Sequence, residues 1–222
     1  MRIVFSVGGS LVVPDEIDDV FIEKFCALIG ELRLRHRIAI VVGGGRLARR
    51  YIAAAENFQA SDETRDLLGI EATHLNAMLV AAALGRIAAY RRVVKPSDLK
   101  SDLIVVTGGT TPGHSTDAVA AGIAVSMKAD LLVNASNIKG VFDKDPSRNP
   151  KAVMIGRMTA ERLLGIVSKL PQTPGKYALI DRLAVETIKK HRVRTVILNG
   201  GDIENLRNAV DGRPFVGTIV EG

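Results

Sequence analysis

The sequence predicts an α/β fold, a three-layer sandwich in which a mainly parallel central sheet lies between helices. Short apolar runs rich in valine and isoleucine recur along the 222-residue chain without alternating with polar residues. This pattern is typical of parallel strands that are buried on both faces. Each run is followed by a stretch with apolar residues at helical spacing, and such alternation of strand and helix is typical of a parallel sheet covered by helices.

The predicted elements follow one another with few interruptions. The predicted strands are "RIVFSV", "RIAIVV", "DLIVVT", "ADLLVN", "VRTVILN" and a closing edge strand in "PFVGTIVEG". The predicted helices are "DDVFIEKFCALIGELRLR", "RLARRYIAAAENF", "ETRDLLGIEATHLNAMLVAAAL", "TDAVAAGIAVSMK", "MTAERLLGIV" and "ALIDRLAVETIKKH". The polar segment 137–150 contains two prolines and predicts an ordered loop or a short hairpin. No low-complexity linker is present, so residues 1–222 are predicted to form a single domain with a lobe division near residue 130.

The composition narrows the classes of protein to consider. Hydrophobic residues make up 47% of the chain and charged residues 24%, a globular balance. The single cysteine, Cys26, lies in an amphipathic run and is predicted to be buried, so no disulfide forms within the chain and a cytoplasmic location is expected. The apolar N-terminus lacks a small-residue cleavage site and predicts a buried first strand rather than a signal peptide. No run approaches the ~18 apolar residues of a membrane span.

The charge favours anionic partners without naming one. The formal net charge is +6, but the basic residues are scattered, tryptophan is absent, and no basic run is interleaved with aromatic residues. Stacking on nucleic-acid bases needs such aromatic residues, so we expect no nucleic-acid partner.

Three predicted strands end in paired or tripled glycines: Gly8-Gly9, Gly43 to Gly45, and Gly108-Gly109. Ligands of an open parallel sheet bind outside the carboxyl ends of its strands, so we expect these loops to converge on one crevice. Glycine lets backbone N–H groups approach phosphate oxygens, and a following helix N-terminus favours negative charge. The loops therefore predict a phosphate site, although glycine also serves plain strand-to-helix turns.

Three arginines follow the second glycine loop, at positions 46, 49 and 50. A helix N-terminus disfavours cations, so this placement suggests an anionic ligand. Arg49 or Arg46 is a candidate to clamp a transferring phosphate, and the alternative is that two of the three side chains are simply solvated.

The stretch "GGTTPGHSTD" resembles a P-loop but has His114 where a P-loop needs lysine. Its hydroxyls and backbone N–H groups suit a monophosphate, and Ser115 or Thr116 is a candidate N-cap. Asp117 follows in the first helical turn. It is interpreted as an organiser of Mg²⁺ or of phosphate-binding groups, although the helix dipole alone also favours an acid there.

Taken in order, these segments resemble the amino acid kinase superfamily and, within it, the archaeal-type uridylate kinases. The resemblance spans essentially the whole chain and rests on "MRIVFSVGGS", "VVGGGRLARRYI", "TRDLLGIEATHLNAMLVAAAL", "GGTTPGHSTDAVAA", "ADLLVNASNIKGVFDKDP" and "ALIDRLA". It implies an eight-stranded sheet, a homohexamer, and Mg²⁺-dependent transfer of the γ-phosphoryl group of ATP to UMP, with the UMP part mostly N-terminal and the ATP part mostly C-terminal.

The resemblance also implies roles for individual residues. The catalytic residues implied are Asp117 and Arg49. The residues implied for ATP are Gly9, Ser10, Gly45 and Arg49 at the phosphates, and Ser136, Asn137, Phe142 and Asp145 at the adenosine. The residues implied for UMP are Gly44, Asp66, Thr110, Thr111, Pro112, Gly113, His114, Ser115 and Thr116. No protein ligand is assigned to the metal, which is expected to arrive with ATP.

The chain departs from the superfamily at Ser6, where many members carry a lysine. Neutralisation of the charge on the transferring phosphate is then expected from Mg²⁺, Arg49 and backbone N–H groups. Lys139 and Lys176 are further cations without an assigned role. The alternatives are another small-molecule kinase of the same fold, such as an isopentenyl phosphate kinase, a non-catalytic nucleotide sensor, or a nucleic-acid binder.

Overall fold

The computed structural model describes residues 1–169 and 179–221, and it confirms the predicted fold class. Within these residues eight strands form one sheet in the order β3-β4-β2-β1-β5-β7-β8-β6. The strands are β1 (Arg2–Val7), β2 (Arg37–Val42), β3 (Ala88–Tyr90), β4 (Ile104–Thr107), β5 (Leu131–Ser136), β6 (Arg157–Thr159), β7 (Thr195–Asn199) and β8 (Thr218–Glu221). Neighbouring strands are parallel except for β7 and β8, which are antiparallel.

The helices cover both faces of the sheet. They are α1 (Gly9–Val12), α2 (Asp19–Leu32), α3 (Gly45–Asn57), α4 (Asp62–Leu84), α5 (Thr116–Met127), α6 (Ala160–Val167), α7 (Arg182–His191) and α8 (Ile203–Asp211). Side chains of β1 alternate between two hydrophobic clusters: Ile3, Phe5 and Val7 pack with α2, α4 and α8, whereas Val4 packs with α5, α6 and α7. Both faces of the central strands are therefore buried, which is why their sequences are apolar without alternation.

The order of the strands determines where a ligand can bind. From β1 the chain proceeds outward through β2 and β4 on one side and through β5 and β7 on the other. The order in which strands are added to the sheet therefore reverses between β1 and β5, and the carboxyl ends of strands at such a switch point form a crevice.

Two predictions at the C-terminal end of the sheet differ from the structure. The closing strand β8 is not an edge strand, because β6 pairs with it on its outer side. The helix predicted from Met158 begins instead at Ala160, because Met158 and Thr159 belong to the edge strand β6, which has only three residues and is too short to be recognised from its pattern. The segment after β5 does form a hairpin, closed by an antiparallel bridge between Phe142 and Met154.

Helix α4 runs along one face of the sheet and contacts α2, α3 and several strands. Among the described residues, Asp62–Ile87 is one stretch that is long and apolar enough to cross a membrane by length and composition alone. Its inward side nevertheless carries polar residues, since Thr73, His74 and Asn76 are all buried. Buried polar residues that contact other parts of the chain are typical of a core helix.

Candidate functional site

The first two glycine loops lie in direct backbone contact at the carboxyl ends of β1 and β2. A Cβ atom on Gly9 would lie 2.2 Å from the carbonyl oxygen of Gly43, and one on Gly45 would lie 2.3 Å from the carbonyl carbon of Gly9. Gly45 also has a positive φ of 58°. Any side chain at these positions would separate the two loops, so glycine is required by the close approach as well as by the backbone conformation.

The third glycine loop adjoins the other two. The backbone N–H of Gly109 donates to Oγ1 of Thr73 at 2.7 Å. A Cβ on Gly43 would lie 3.4 Å from Oγ1 of Thr116, at the start of α5. The carboxyl ends of β1, β2 and β4 therefore bring all three loops together, with the N-terminus of α5 directed toward them.

Residues 110–114 form an exposed loop between β4 and α5. Gly113 has a φ of 80°, and its N–H donates to Oδ2 of Asp66 at 2.7 Å. Asp66 lies in the second turn of α4, which begins at Asp62. Ser115 is the N-cap of α5 and accepts from the N–H of Ala118 at 3.1 Å.

Asp117 lies at the switch point of the sheet and is held by two neighbours in adjacent strands. Ser6 Oγ and Asn134 Nδ2 each donate to Oδ1 of Asp117 at 2.7 Å, and Ser6 and Asn134 are register partners in β1 and β5. Burial of the carboxyl raises the pKa of Asp117, and the negative charge of nearby Asp181 raises it further, while hydrogen bonds from Ser6, from the backbone of Asp181 and from Asn134 act in the opposite direction. No ion pair joins Asp117 to a basic side chain in the part of the chain that the structure describes.

The arginines of α3 differ in their surroundings. Arg46 forms an ion pair with Asp15, and Arg50 lies 3.7 Å from the same carboxylate. Arg49 is exposed and forms no hydrogen bond or ion pair with any of residues 1–169 or 179–221. Of the three, Arg49 is therefore the cation whose charge is left for a ligand.

Ser136 ends β5 and Asn137 follows it, beside the first glycine loop. The N–H of Gly8 donates to the carbonyl of Ala135 at 2.7 Å, and the N–H of Gly200 donates to the carbonyl of Ser136 at 2.8 Å. Ser10 and Gly201 line a nearby cavity of about 250 Å³. The pair Gly200-Gly201 was not singled out from the sequence, although "NGG" after β7 carries the same signal as the other glycine loops.

Phe142 and Asp145 lie in the hairpin that follows β5. Asp145 accepts hydrogen bonds from Oγ and the N–H of Ser147 at 2.7 and 2.9 Å, and these bonds hold the pKa of Asp145 below its usual range. Its carboxylate thus caps its own turn. Within the described ranges no hydrogen bond joins this hairpin to the glycine loops. Lys139 is exposed, and Lys176 lies outside the described residues.

Three buried polar residues of α4 were missed by the sequence reading. Thr73 accepts from Gly109, as described above, and Asn76 Nδ2 donates to the carbonyl of Gly43 at 2.8 Å. Nδ1 of His74 lies 3.1 Å from the hydroxyl oxygen of Tyr90, and burial lowers the pKa of His74. The signal was the polar triplet within the apolar run "ATHLNAM", which a plain core helix does not need.

The residues offer no closed metal site of their own. Among residues 1–169 and 179–221 no group of three or more histidine, cysteine, aspartate or glutamate side chains is arranged to hold an ion. Mg²⁺ usually keeps several waters and binds through one or two carboxylates together with substrate phosphates. A magnesium ion bound in this way does not require a cluster of three such side chains.

Comparisons with known proteins agree with this geometry. The model of the amino acid kinase family matches residues 1–199. The uridylate kinases of Thermococcus sibiricus and Pyrococcus abyssi are 40% and 42% identical to the chain, with 100% of each sequence covered. The crystal structure of uridylate kinase from Archaeoglobus fulgidus is 38% identical, with a TM-score of 0.87 over 99% of this chain and 100% of that one. The chain therefore belongs to the amino acid kinase family, and the uridylate kinases are members of that family that it resembles over its full length.

Proposed function

We propose that this chain is an ATP-dependent uridylate kinase that transfers the γ-phosphoryl group of ATP to UMP, giving ADP and UDP. The observation that carries the proposal is the backbone contact of Gly9 with Gly43 and Gly45, beside the loop at Gly108-Gly109. This arrangement gathers N–H groups from several loops at one crevice, as a site for two phosphate-bearing ligands requires. The full-length similarity to proteins named uridylate kinase supports the choice of substrates.

The donor side of the crevice is assigned to ATP. Its phosphates lie over Gly9, Ser10, Gly45 and Arg49 in this proposal, and its adenosine lies near Ser136, Asn137, Phe142 and Asp145. The cavity beside Ser10 and Gly201 supports a ligand on this side of β1. Asp145 would have to exchange its bonds to Ser147 to accept from a nucleotide.

The acceptor side is assigned to UMP. Gly44, Asp66 and residues Thr110 to Thr116 frame it, including the exposed His114. Oδ2 of Asp66 already accepts from Gly113, which leaves Oδ1 to accept from a ribose hydroxyl. The N-terminus of α5 and the hydroxyls of this loop would bind the monophosphate through neutral donors.

Transfer proceeds in line, with a phosphate oxygen of UMP bonding to the γ-phosphorus as the bond to the ADP oxygen breaks. Such a reaction needs positioning and charge neutralisation more than covalent chemistry. Arg49 is proposed to neutralise charge on the transferring group, because it is the unpaired arginine of α3. Asp117 is proposed to organise the site, held by Ser6 and Asn134. Magnesium bound to ATP supplies further neutralisation of phosphate charge.

The assembly is proposed to be a homohexamer in which each chain is a single domain. An outward row of apolar residues on α4 supports self-association, since Leu75 is 54% and Met78 41% exposed. A mainly apolar groove of about 590 Å³, lined by residues of α2 and α4 that include Ile22, Leu79 and Ala83, adds to this apolar surface. Contiguous exposed apolar surface of this kind marks protein contacts. Light scattering after size-exclusion chromatography tests the assembly, and a monomer at micromolar concentration contradicts it.

A panel of acceptors tests the proposed activity. Purified protein is incubated with Mg²⁺-ATP and, separately, UMP, CMP, AMP, GMP and isopentenyl phosphate, and ADP release is measured. We expect turnover with UMP to exceed that with each other acceptor by at least about tenfold, because isopentenyl phosphate has no ribose or base to bind and because the relatives that match over full length are named uridylate kinases. Preference for isopentenyl phosphate, or ATP binding without turnover, contradicts the proposal. Binding of nucleic acid that weakens steeply with salt would indicate a different class of function.

A further inference from the structure

Two buried residues on one face of α4 hold two glycine loops, one on the UMP side of the proposed site and one that also contacts the ATP side through Gly9. Thr73 and Asn76 are 7% and 2% exposed, and positions three apart on a helix are neighbours on its surface. Thr73 accepts from the N–H of Gly109 on the acceptor side. Asn76 donates to the carbonyl of Gly43, in the loop that contacts Gly9 on the donor side.

The hydroxyl oxygen of Thr73 acts as an acceptor in its hydrogen bond with Gly109. The same hydroxyl donates to the carbonyl of Ile70 at 2.6 Å, so the oxygen is left to accept from Gly109 at 2.7 Å. The loop is also seated closely against this oxygen, since a Cβ on Gly108 would lie 2.4 Å from it. The Gly108-Gly109 loop therefore packs on α4 through this oxygen and through the adjacent backbone of Thr73 and His74.

We propose that Thr73 and Asn76 are positioning residues that set the separation of the two substrates. Helix α4 supports the loop Gly108-Gly109 through Thr73 and the loop Gly43 to Gly45 through Asn76, so a single rigid element fixes the positions of both loops. Because both side chains are buried, they act through the loops. A displacement of reacting groups by about 1 Å costs about 100-fold in rate, so small shifts of either loop have large effects. This inference rests on the proposed function.

Substitution of each residue is expected to affect the two substrates differently. Thr73→Val preserves the shape of the side chain but leaves the N–H of Gly109 without an acceptor. We expect the KM for UMP to rise by about tenfold while the KM for ATP changes by less than about twofold. Thr73→Ser retains the hydroxyl and should restore the wild-type KM for UMP. Asn76→Leu should instead raise the KM for ATP more than that for UMP.

Thr107→Val is a matched control, because Thr107 directly precedes the same loop. Thr107 is fully buried, and its hydroxyl has no hydrogen-bond partner in the described part of the chain. The same chemical change at this position should leave both KM values within about twofold of wild type. A rise in the KM for UMP in Thr107→Val equal to that in Thr73→Val would overturn the proposal, as would failure of Thr73→Ser to restore it.

Amide hydrogen exchange separates this inference from the proposed function. Without substrates, the peptide containing Gly109 should exchange about tenfold or more faster in Thr73→Val than in Thr107→Val, because only the first loses the bond to the loop. If wild type does not phosphorylate UMP, the proposed function fails, and equal exchange in the two variants separately overturns the positioning role of Thr73. If Asn76→Leu does not fold, as judged by circular dichroism, the Thr73 series decides the question.

Discussion

Oγ of Ser6 donates a 2.7 Å hydrogen bond to Oδ1 of Asp117 and so joins strand β1 to helix α5. Asn134 donates to the same oxygen. Ser6 and Asn134 thus both present neutral donors to Asp117. The charge of Asp117 is stabilised by hydrogen bonds rather than by a cation among the described residues, and burial raises its pKa.

Asp117→Asn should lower turnover while stabilising the fold. We expect kcat to fall by about 100-fold, the size of effect seen when a preorganised electrostatic group is removed. A carboxyl whose pKa is raised on folding favours the folded state most when protonated, and this contribution is lost as the pH rises through the folded pKa. The buried carboxylate of the wild type therefore destabilises the fold at pH 7, and the neutral amide removes this effect. Thermal unfolding should show a higher Tm for the variant at pH 7 and a smaller difference near pH 4.

Asp102→Asn is the control for this pair of measurements. Asp102 is exposed and unpaired among the described residues, so neither kcat nor Tm should change in this variant. A Tm for Asp117→Asn at pH 7 below that of wild type would show that the two hydrogen bonds outweigh the effect of burial.

Arg49→Ala and Arg46→Ala should separate catalysis from surface pairing. Arg49 has no partner in the described structure, whereas Arg46 pairs with Asp15 on the surface. Removing Arg49 should lower kcat/KM by about tenfold or more with no change in Tm, because it removes charge only from the transferring group. Removing Arg46 should leave kcat/KM within about twofold and lower stability by at most about 1 kcal/mol. Equal kinetic losses in the two variants would contradict the role given to Arg49.

Cys26 should be unreactive in the folded protein. It is 9% exposed, and burial raises the pKa of its thiol to about 11. The thiolate is the reactive form, so at pH 8 its population is very small. Labelling with a chromogenic disulfide should be at least about 100-fold slower in native protein than in protein unfolded in guanidinium. Cys26 lines the groove between α2 and α4. Complete labelling of native protein within minutes would show that the reagent reaches the thiol through this groove.

The parts of the fold and site that were predictable are those encoded locally. Buried parallel strands carry their own apolar signature, and Ser115 and Asp117 mark the start of α5 by capping chemistry. The position of β8 inside the sheet was not predictable, because it depends on pairing with the short, distant β6. The roles of Thr73 and Asn76 were not predictable for the same reason, because their hydrogen-bond partners lie at least 33 residues away in the chain.

The close approach of Gly9 and Gly43 makes a final prediction about the crevice itself. Gly9→Ala places a methyl group 2.2 Å from the carbonyl oxygen of Gly43, and backbone on both sides leaves no flexible side chain to move away. We expect loss of at least about 2 kcal/mol of stability and of nearly all turnover, since the loops at Gly8-Gly9 and Gly43 to Gly45 must separate. Gly122→Ala is the matched control. Nothing lies within 4 Å of a Cβ at Gly122, which is inside α5, so alanine should stabilise the protein by about 0.8 kcal/mol through helix propensity. Urea unfolding and the UMP assay measure both variants. Wild-type kinetics in Gly9→Ala would mean that the contact between the loops is not needed for catalysis.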